Sequence, residues 1–236
     1  MRPISSFWGS KKPCLFIIGA GFVISRVVYY WLGVRFDAGS LDSWWFIDPV
    51  LLRDAPWQSL FYSRAQLPGL NLWVAVATHL FPRHLAAVFH ALYLVLGLVL
   101  GVCLFLLLER LHLGRGFTLL IVGICVASPV TVLYENWLSY EYPIAVLFCL
   151  CALLLHRYAS SHHAVDAVLF FACLASISLF RVIYHILWFA SIAGVLSYAI
   201  PKQRRKTVLC ATGPGLALLL VYLQDLDTFR PRHSGE

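Results

Sequence analysis

The stretch LAAVFHALYLVLGLVLGVCLFLLL, residues 85–108, decides the fold class. It carries no formal charge and is longer than the ~20 apolar residues that cross a ~30 Å hydrocarbon core as a helix. Working outward, comparable apolar density recurs at 14–33, 117–134, 142–156, 165–181, 185–200 and 207–223, which predicts about seven transmembrane helices. The whole chain agrees. Of its 236 residues, 61% are hydrophobic and only 12% charged, against ~25% charged in an ordinary soluble domain. A soluble globule is excluded, and the expected fold is an all-α polytopic membrane protein.

A weaker apolar segment, 70–82, lies between Gly69 and Pro82 and would be about 18 Å long at ~1.5 Å per residue, too short to span. It reads as an interfacial or re-entrant helix. Omitting it from the spans gives a consistent charge pattern. With the N-terminus in the cytoplasm, the inner segments collect Arg2, Lys11, Lys12, Arg110, Arg115, Arg157, Lys202, Arg204, Arg205 and Lys206. The outer segments collect Asp37, Asp42, Asp48, Asp54, Glu135 and Glu141, leaving Glu109 and Asp166 inside. The net charge of +7 is therefore read as topology rather than as a nucleic-acid surface. Lys11 and Lys12 precede an uncleaved first helix, since no A-x-A-like site follows. Cysteines such as Cys103, Cys125, Cys149 and Cys173 sit in apolar runs with no CxxC spacing, so they read as small buried or lipid-facing residues.

This reading makes residues 1–223 one transmembrane domain, with a polar tail at 224–236. Its longest non-spanning stretch is the outer loop 34–69, rich in Trp44, Trp45, Trp57, Phe61 and Tyr62. Such aromatics prefer the headgroup level, so the loop is expected to lie on the membrane as short amphipathic helices. Asp48 would N-cap one of them, with Pro49 in its first turn.

The acids of the loop and of the turn YENWLSYEYP (134–143) are the strongest chemical signal. A carboxylate there would serve as general base or hold a divalent cation, while a basic residue receives a phosphate. The plainer reading is that loop acids are solvated. Arg181 joins two apolar runs without loop-like punctuation, and a guanidinium at a hydrocarbon boundary either pairs with an anion such as phosphate or snorkels to the headgroups. His185 follows one helical turn later. Arg26, inside the first span, either pairs with an acid across the bundle or has a purely structural role, snorkelling being less comfortable at that depth. Glu135 and Glu141 flank Trp137 and Tyr140, a polar patch with stacking surfaces suited to carbohydrate, or an aromatic belt. Phosphate-loop, dinucleotide and zinc-protease motifs are absent from the sequence.

The order of these parts resembles the N-terminal half of the GT-C membrane glycosyltransferases, in particular bacterial glycosyltransferase family 39 or dolichyl-phosphate-mannose mannosyltransferase-like proteins. The resemblance rests on RFDAGSLD (35–42), FIDPVLLRD (46–54), SLFYSRAQLPGLNL (59–72) and SPVTVLYENWLSYEYP (128–143), and extends over about residues 14–200. Leu67-Pro68 stands where that group has a Pro-Pro pair. The resemblance implies transfer of a sugar from a polyprenyl-phosphate donor at the outer face of the bacterial inner (plasma) membrane. It implies a catalytic acid at Asp37, with Asp42 and Asp48 as alternates. Donor-phosphate contacts would come from Arg181, His185 and Arg64, and an acceptor or sugar site from Gln66, Asn71, Glu135, Glu141 and Tyr140. The implied partners are the polyprenyl-phosphate sugar and the bilayer. No cofactor is implied with certainty, and a divalent cation is possible. Because family members are longer, the resemblance implies either a membrane glycosyltransferase or a truncated copy of one, inactive if truncated, with the polar tail 224–236 read as a cut end. The competing expectations are a transporter-like protein, with broken helices and ionisable residues near the midplane, and a non-catalytic membrane protein.

Overall fold

A computed structural model describes residues 12–42, 46–62, 68–181, 184, 186–201, 207–217 and 219. Eleven α-helices are present among them: α1 (Lys12–Trp31), α2 (Pro49–Asp54), α3 (Pro56–Tyr62), α4 (Pro68–Leu80), α5 (Leu85–Arg110), α6 (Arg115–Ala127), α7 (Pro129–Glu135), α8 (Glu141–Ser161), α9 (Ala164–Phe180), α10 (Ile186–Ala199) and α11 (Thr207–Ala217). A 3-10 turn covers Gly39–Asp42, and no strand occurs among the described residues. The all-α expectation holds. The described residues bear out three or four of the expected seven spans. Among the described residues α1, α5 and α8 are long and apolar enough to cross a membrane, and α6 with α7 makes a fourth only if the two count as one span bent by 51°. At ~1.5 Å per residue, the 17 residues of α9 and 14 of α10 fall short of a ~30 Å core.

Proline and glycine set most of the boundaries. Pro49, Pro56, Pro68 and Pro129 each open a helix, where the missing N–H removes no intrahelical bond. Asp48 caps α2 by accepting from the Val50 N–H at 2.8 Å, as its sequence predicts. Pro68 therefore starts α4 rather than closing the loop before it. The chain leaves α1 through Gly33 at φ +93°, with Gly33 N–H donating to Tyr30 O and Val34 N–H to Tyr29 O, the paired bonds of a Schellman ending.

The chain forms two compact units. The first takes residues 1–38 and 86–153. Its core stacks Cys14, Ile18 and Phe22, one turn apart on α1, against Phe105 of α5 and Val122 and Val126 of α6. Gly101 lets α5 approach this seam, since a Cβ there would lie 3.0 Å from Val126 Cγ2.

The second unit takes residues 39–85 and 154–236. In it α4 packs on α2 and on α9. Gly69 is required for that approach, because a Cβ would meet Leu179 O at 2.7 Å. Trp73 meets Phe180 edge-on at 5.2 Å, and Phe171 meets Phe189 of α10 at 5.9 Å. At the start of α9, buried Asp166 takes Arg157 at 3.1 Å and the Ser161 hydroxyl at 3.2 Å. An acid in a helix's first turn also meets the positive end of its dipole. Of the expected surface loop, α2 and α3 bury Leu52 and Leu60 and expose Val50, Leu51 and Trp57.

Asn71 is buried in this unit, and its Oδ1 accepts from the Ile47 N–H at 3.0 Å. Asn71→Leu leaves that buried donor without its partner. A loss of about 1–3 kcal/mol is expected, measured as a fall in the unfolding midpoint in detergent. Unchanged stability would show that the bond does not hold the loop to α4.

Candidate functional site

The site of the first unit begins at a broken helix. Pro129 has no N–H to continue the ladder of α6, and it holds Ser128 in an extended conformation (φ −63°, ψ 138°). Ser128 Oγ then caps α7 by accepting from Thr131 N–H at 3.2 Å. The last carbonyls of α6 are left without helical partners, and in an apolar setting such groups must be satisfied. Side chains of α1 supply the bonds: Arg26 Nη1 donates to Val126 O at 2.7 Å and Tyr29 Oη to Ala127 O at 3.0 Å. A guanidinium at a helix C-terminus is also favoured by the dipole.

The same guanidinium grips Glu135 at the end of α7. Nε donates to Oε1 at 2.8 Å and Nη2 to Oε2 at 2.5 Å, a bidentate pair. Nη1 also donates to Ser25 Oγ at 2.8 Å, and the group lies 3.9 Å from the centroid of the Phe22 ring. Glu135 is 0% exposed and Arg26 11%. Tyr142 of α8 donates to Glu135 Oε2 at 3.0 Å. Gly97 of α5 lies against this node, where a Cβ would strike Glu135 Oε2 and come within 2.7 Å of Tyr142 Oη.

Directly after Glu135 the chain forms a short seam. Asp37 N–H donates to Asn136 O at 2.7 Å, and Leu138 N–H donates to Asp37 O at 3.0 Å, a single parallel bridge between Asp37 and Trp137. Tyr93 of α5 holds the following residue: its hydroxyl donates to Ser139 O and accepts from Ser139 N–H at 3.2 Å. Asp37 is exposed, and both its backbone groups are held by the seam.

Beside the seam an open cleft of about 360 Å³ is lined by Arg26, Arg35, His90 and Asn136 together with Tyr29, Tyr30 and Phe36. His90 stacks on Phe36 at 5.3 Å. Arg35 lies 3.7 Å from the Tyr30 ring centroid and donates through Nη1 to Tyr30 O at 2.5 Å and Val34 O at 2.9 Å. Those bonds hold its fork in place and leave Nε and Nη2 as donors. Among the described residues no carboxylate lines the cleft. Val27, Val34, Leu94 and Val132 complete a mostly apolar wall, and such a cleft with the Arg35 fork at its side suits an anion attached to an apolar body.

Of the sequence-predicted site residues, the first unit brings together Asp37, Glu135, Tyr140 and Glu141 around the seam. Tyr140 and Glu141 are half-buried, with Glu141 opening α8. Glu135 is not the water-exposed turn acid the sequence implies. It lies in the protein interior because Arg26 neutralises it there. Asp48, Asn71 and Arg181 belong to the second unit, as does the backbone of Asp42 in the 3-10 turn. The Asp48 carboxylate caps a helix, and Asn71 holds Ile47. Arg181 is exposed and extended (φ −148°, ψ 131°), and it ends α9 where the sequence reads as continuous. Arg64, Gln66 and His185 lie outside the described residues. Among the described residues no group of three His, Cys, Asp or Glu side chains is placed to hold a metal ion.

Sequence reasoning passes over Arg35 and His90. Both carry a signal: Gly33 marks a helix end, where a following cation is favoured, and His90 is an ionisable residue in the apolar run 85–108. Compared with known proteins, the chain matches no family model, no curated protein and no solved structure.

Proposed function

We propose that this chain is an integral membrane glycosyltransferase that moves a sugar from a polyprenyl-phosphate donor to a hydroxyl acceptor at the outer face of a bacterial plasma membrane. Its N-terminus is cytoplasmic in this reading, which puts the Asp37 end of α1 outside. The observation that carries the reading is an exposed acid, Asp37, fixed by backbone bonds next to a cleft whose charged lining is cationic. In the reaction the acceptor oxygen bonds to the anomeric carbon, and its proton passes to the Asp37 carboxylate. The bond from that carbon to the phosphate oxygen breaks, and the lipid phosphate leaves with the electron pair. Arg35, with Nε and Nη2 to offer, receives the developing phosphate charge, and His90 lies in the same wall. The bilayer supplies the donor in two dimensions, and no nucleotide site is needed.

The test is transfer of labelled sugar from a set of polyprenyl-phosphate sugars to a membrane extract by the purified chain, with Arg35→Ala and Arg181→Ala beside it. Arg35→Ala is expected to lower kcat/KM by about 10- to 100-fold, the loss of one or two charge-assisted bonds, with Arg181→Ala close to wild type. The reverse order moves the phosphate contact to Arg181. No transfer by a folded wild-type chain sinks the proposal.

A second reading is favoured by the break between α6 and α7, where an ionisable pair meets freed carbonyls, as in the discontinuous helices of transporters. Accumulation of a solute in proteoliposomes that Glu135→Gln abolishes would select it.

A further inference from the structure

Arg26 and Glu135 do more than neutralise each other. Residue 26 is on α1, eleven residues before Asp37, and residue 135 is one residue before the seam that holds Asp37. The bidentate pair closes a ring: along α1 from Arg26 to the Gly33 ending, on to Asp37, across the two backbone bonds to Asn136 and Leu138, and back through Glu135 to Arg26. At one side of the ring Arg26 also holds Val126 O, which ties α1 to the end of α6 at the helix break. Rotation or sliding of α7 against α1 would be transmitted to Asn136 O and thus to the Asp37 backbone. Tyr93 clamps Ser139, farther along the turn, whereas Asn136 is tied to α7 itself, its N–H and Nδ2 both donating to Val132 O, so it moves with that helix.

We infer that Arg26 is a positioning residue for the Asp37 carboxylate, acting through Glu135 and the residue 136–138 seam. The inference rests on the proposed transfer reaction for its catalytic consequence and stands on the ring geometry alone for its structural one. A lysine at 26 keeps the charge but cannot form the two-pronged pair, so a loosened ring in a folded protein is the expected outcome. Displacement of a reacting group by about 1 Å costs on the order of 100-fold in rate.

The experiment compares the full chain with Arg26→Lys and Glu135→Gln in two arms. In hydrogen exchange, the Asp37 and Leu138 amides are expected to exchange at least tenfold faster in both variants, while amides of α9 in the second unit keep their wild-type rates. In transfer kinetics, kcat is expected to fall about 100-fold with KM for the donor within about threefold of wild type. Wild-type protection of Asp37 and Leu138 in the variants overturns the inference. A raised KM at unchanged kcat also overturns it, because Arg26 would then touch the donor directly from the cleft wall. Global unfolding of Glu135→Gln, which keeps shape and removes only charge, would overturn it too, by making the pair a requirement of the whole unit. If the wild-type chain transfers no sugar, the transferase reading fails while the exchange arm still decides whether the pair positions Asp37.

Discussion

Asp37→Asn is expected to reduce sugar transfer by about 10²- to 10⁴-fold, the usual contribution of a positioned general base. The seam bonds to Asp37 run through its backbone N–H and C=O, which asparagine retains. The side chain is exposed, so the substitution removes a proton acceptor without opening a core. Thermal unfolding close to wild type should accompany the lost turnover, and donor KM should stay near its wild-type value because the cleft lining is unchanged. Asp48→Asn is the contrast: that carboxylate caps α2, and asparagine is nearly as good a cap, so transfer should hold. A fully active Asp37→Asn would remove Asp37 from the chemistry and hand the role to another acid. Loss in Asp48→Asn of similar size would point to the second unit instead.

Gly97→Ala is expected to destabilise the first unit by about 2–4 kcal/mol. The new Cβ would occupy the place of Glu135 Oε2 and crowd Tyr142 Oη and Phe22 Cε2. Those atoms are ends of side chains, but Glu135 is held by both nitrogens of the Arg26 fork and cannot swing away without breaking the pair. Breaking a buried pair costs about 3–5 kcal/mol, and the gain in helix propensity from glycine to alanine returns about 1 kcal/mol. Gly19→Ala on α1, where a Cβ meets nothing within 4 Å, isolates the propensity term and should be neutral or slightly stabilising. The comparison is made by unfolding the purified proteins under identical detergent conditions. Equal stability of Gly97→Ala and wild type would mean that α5 does not press on the ion pair.

Several local features are legible in the sequence alone. Helical segments follow from the apolar runs, the Asp48–Pro49 start of α2 from capping chemistry, and the need of Arg26 for an acid partner from the cost of a guanidinium in hydrocarbon. Two breaks are not. Ser128–Pro129 falls inside the apolar run 117–134, although a proline there forces Ser128 out of the helix. Arg181 reads as continuous with its neighbours because hydropathy registers composition and not backbone direction.

Sequence alone establishes the helical class, the apolar character of α1, α5 and α8, and the capped start of α2 at Asp48–Pro49. These follow from hydrogen bonds and hydration within a few residues of chain. Tertiary structure alone decided that Glu135, of all the turn acids, is the one taken inside. It also decided that Asp37 is exposed with its backbone held by the seam, and that Arg35 and His90 face a common cleft. The Arg26–Glu135 pair joins residues 109 apart in the chain. A buried charge is tolerated only where an opposite charge and spare donors already converge, and that convergence depends on how α1 packs against the broken helix, which no local pattern encodes.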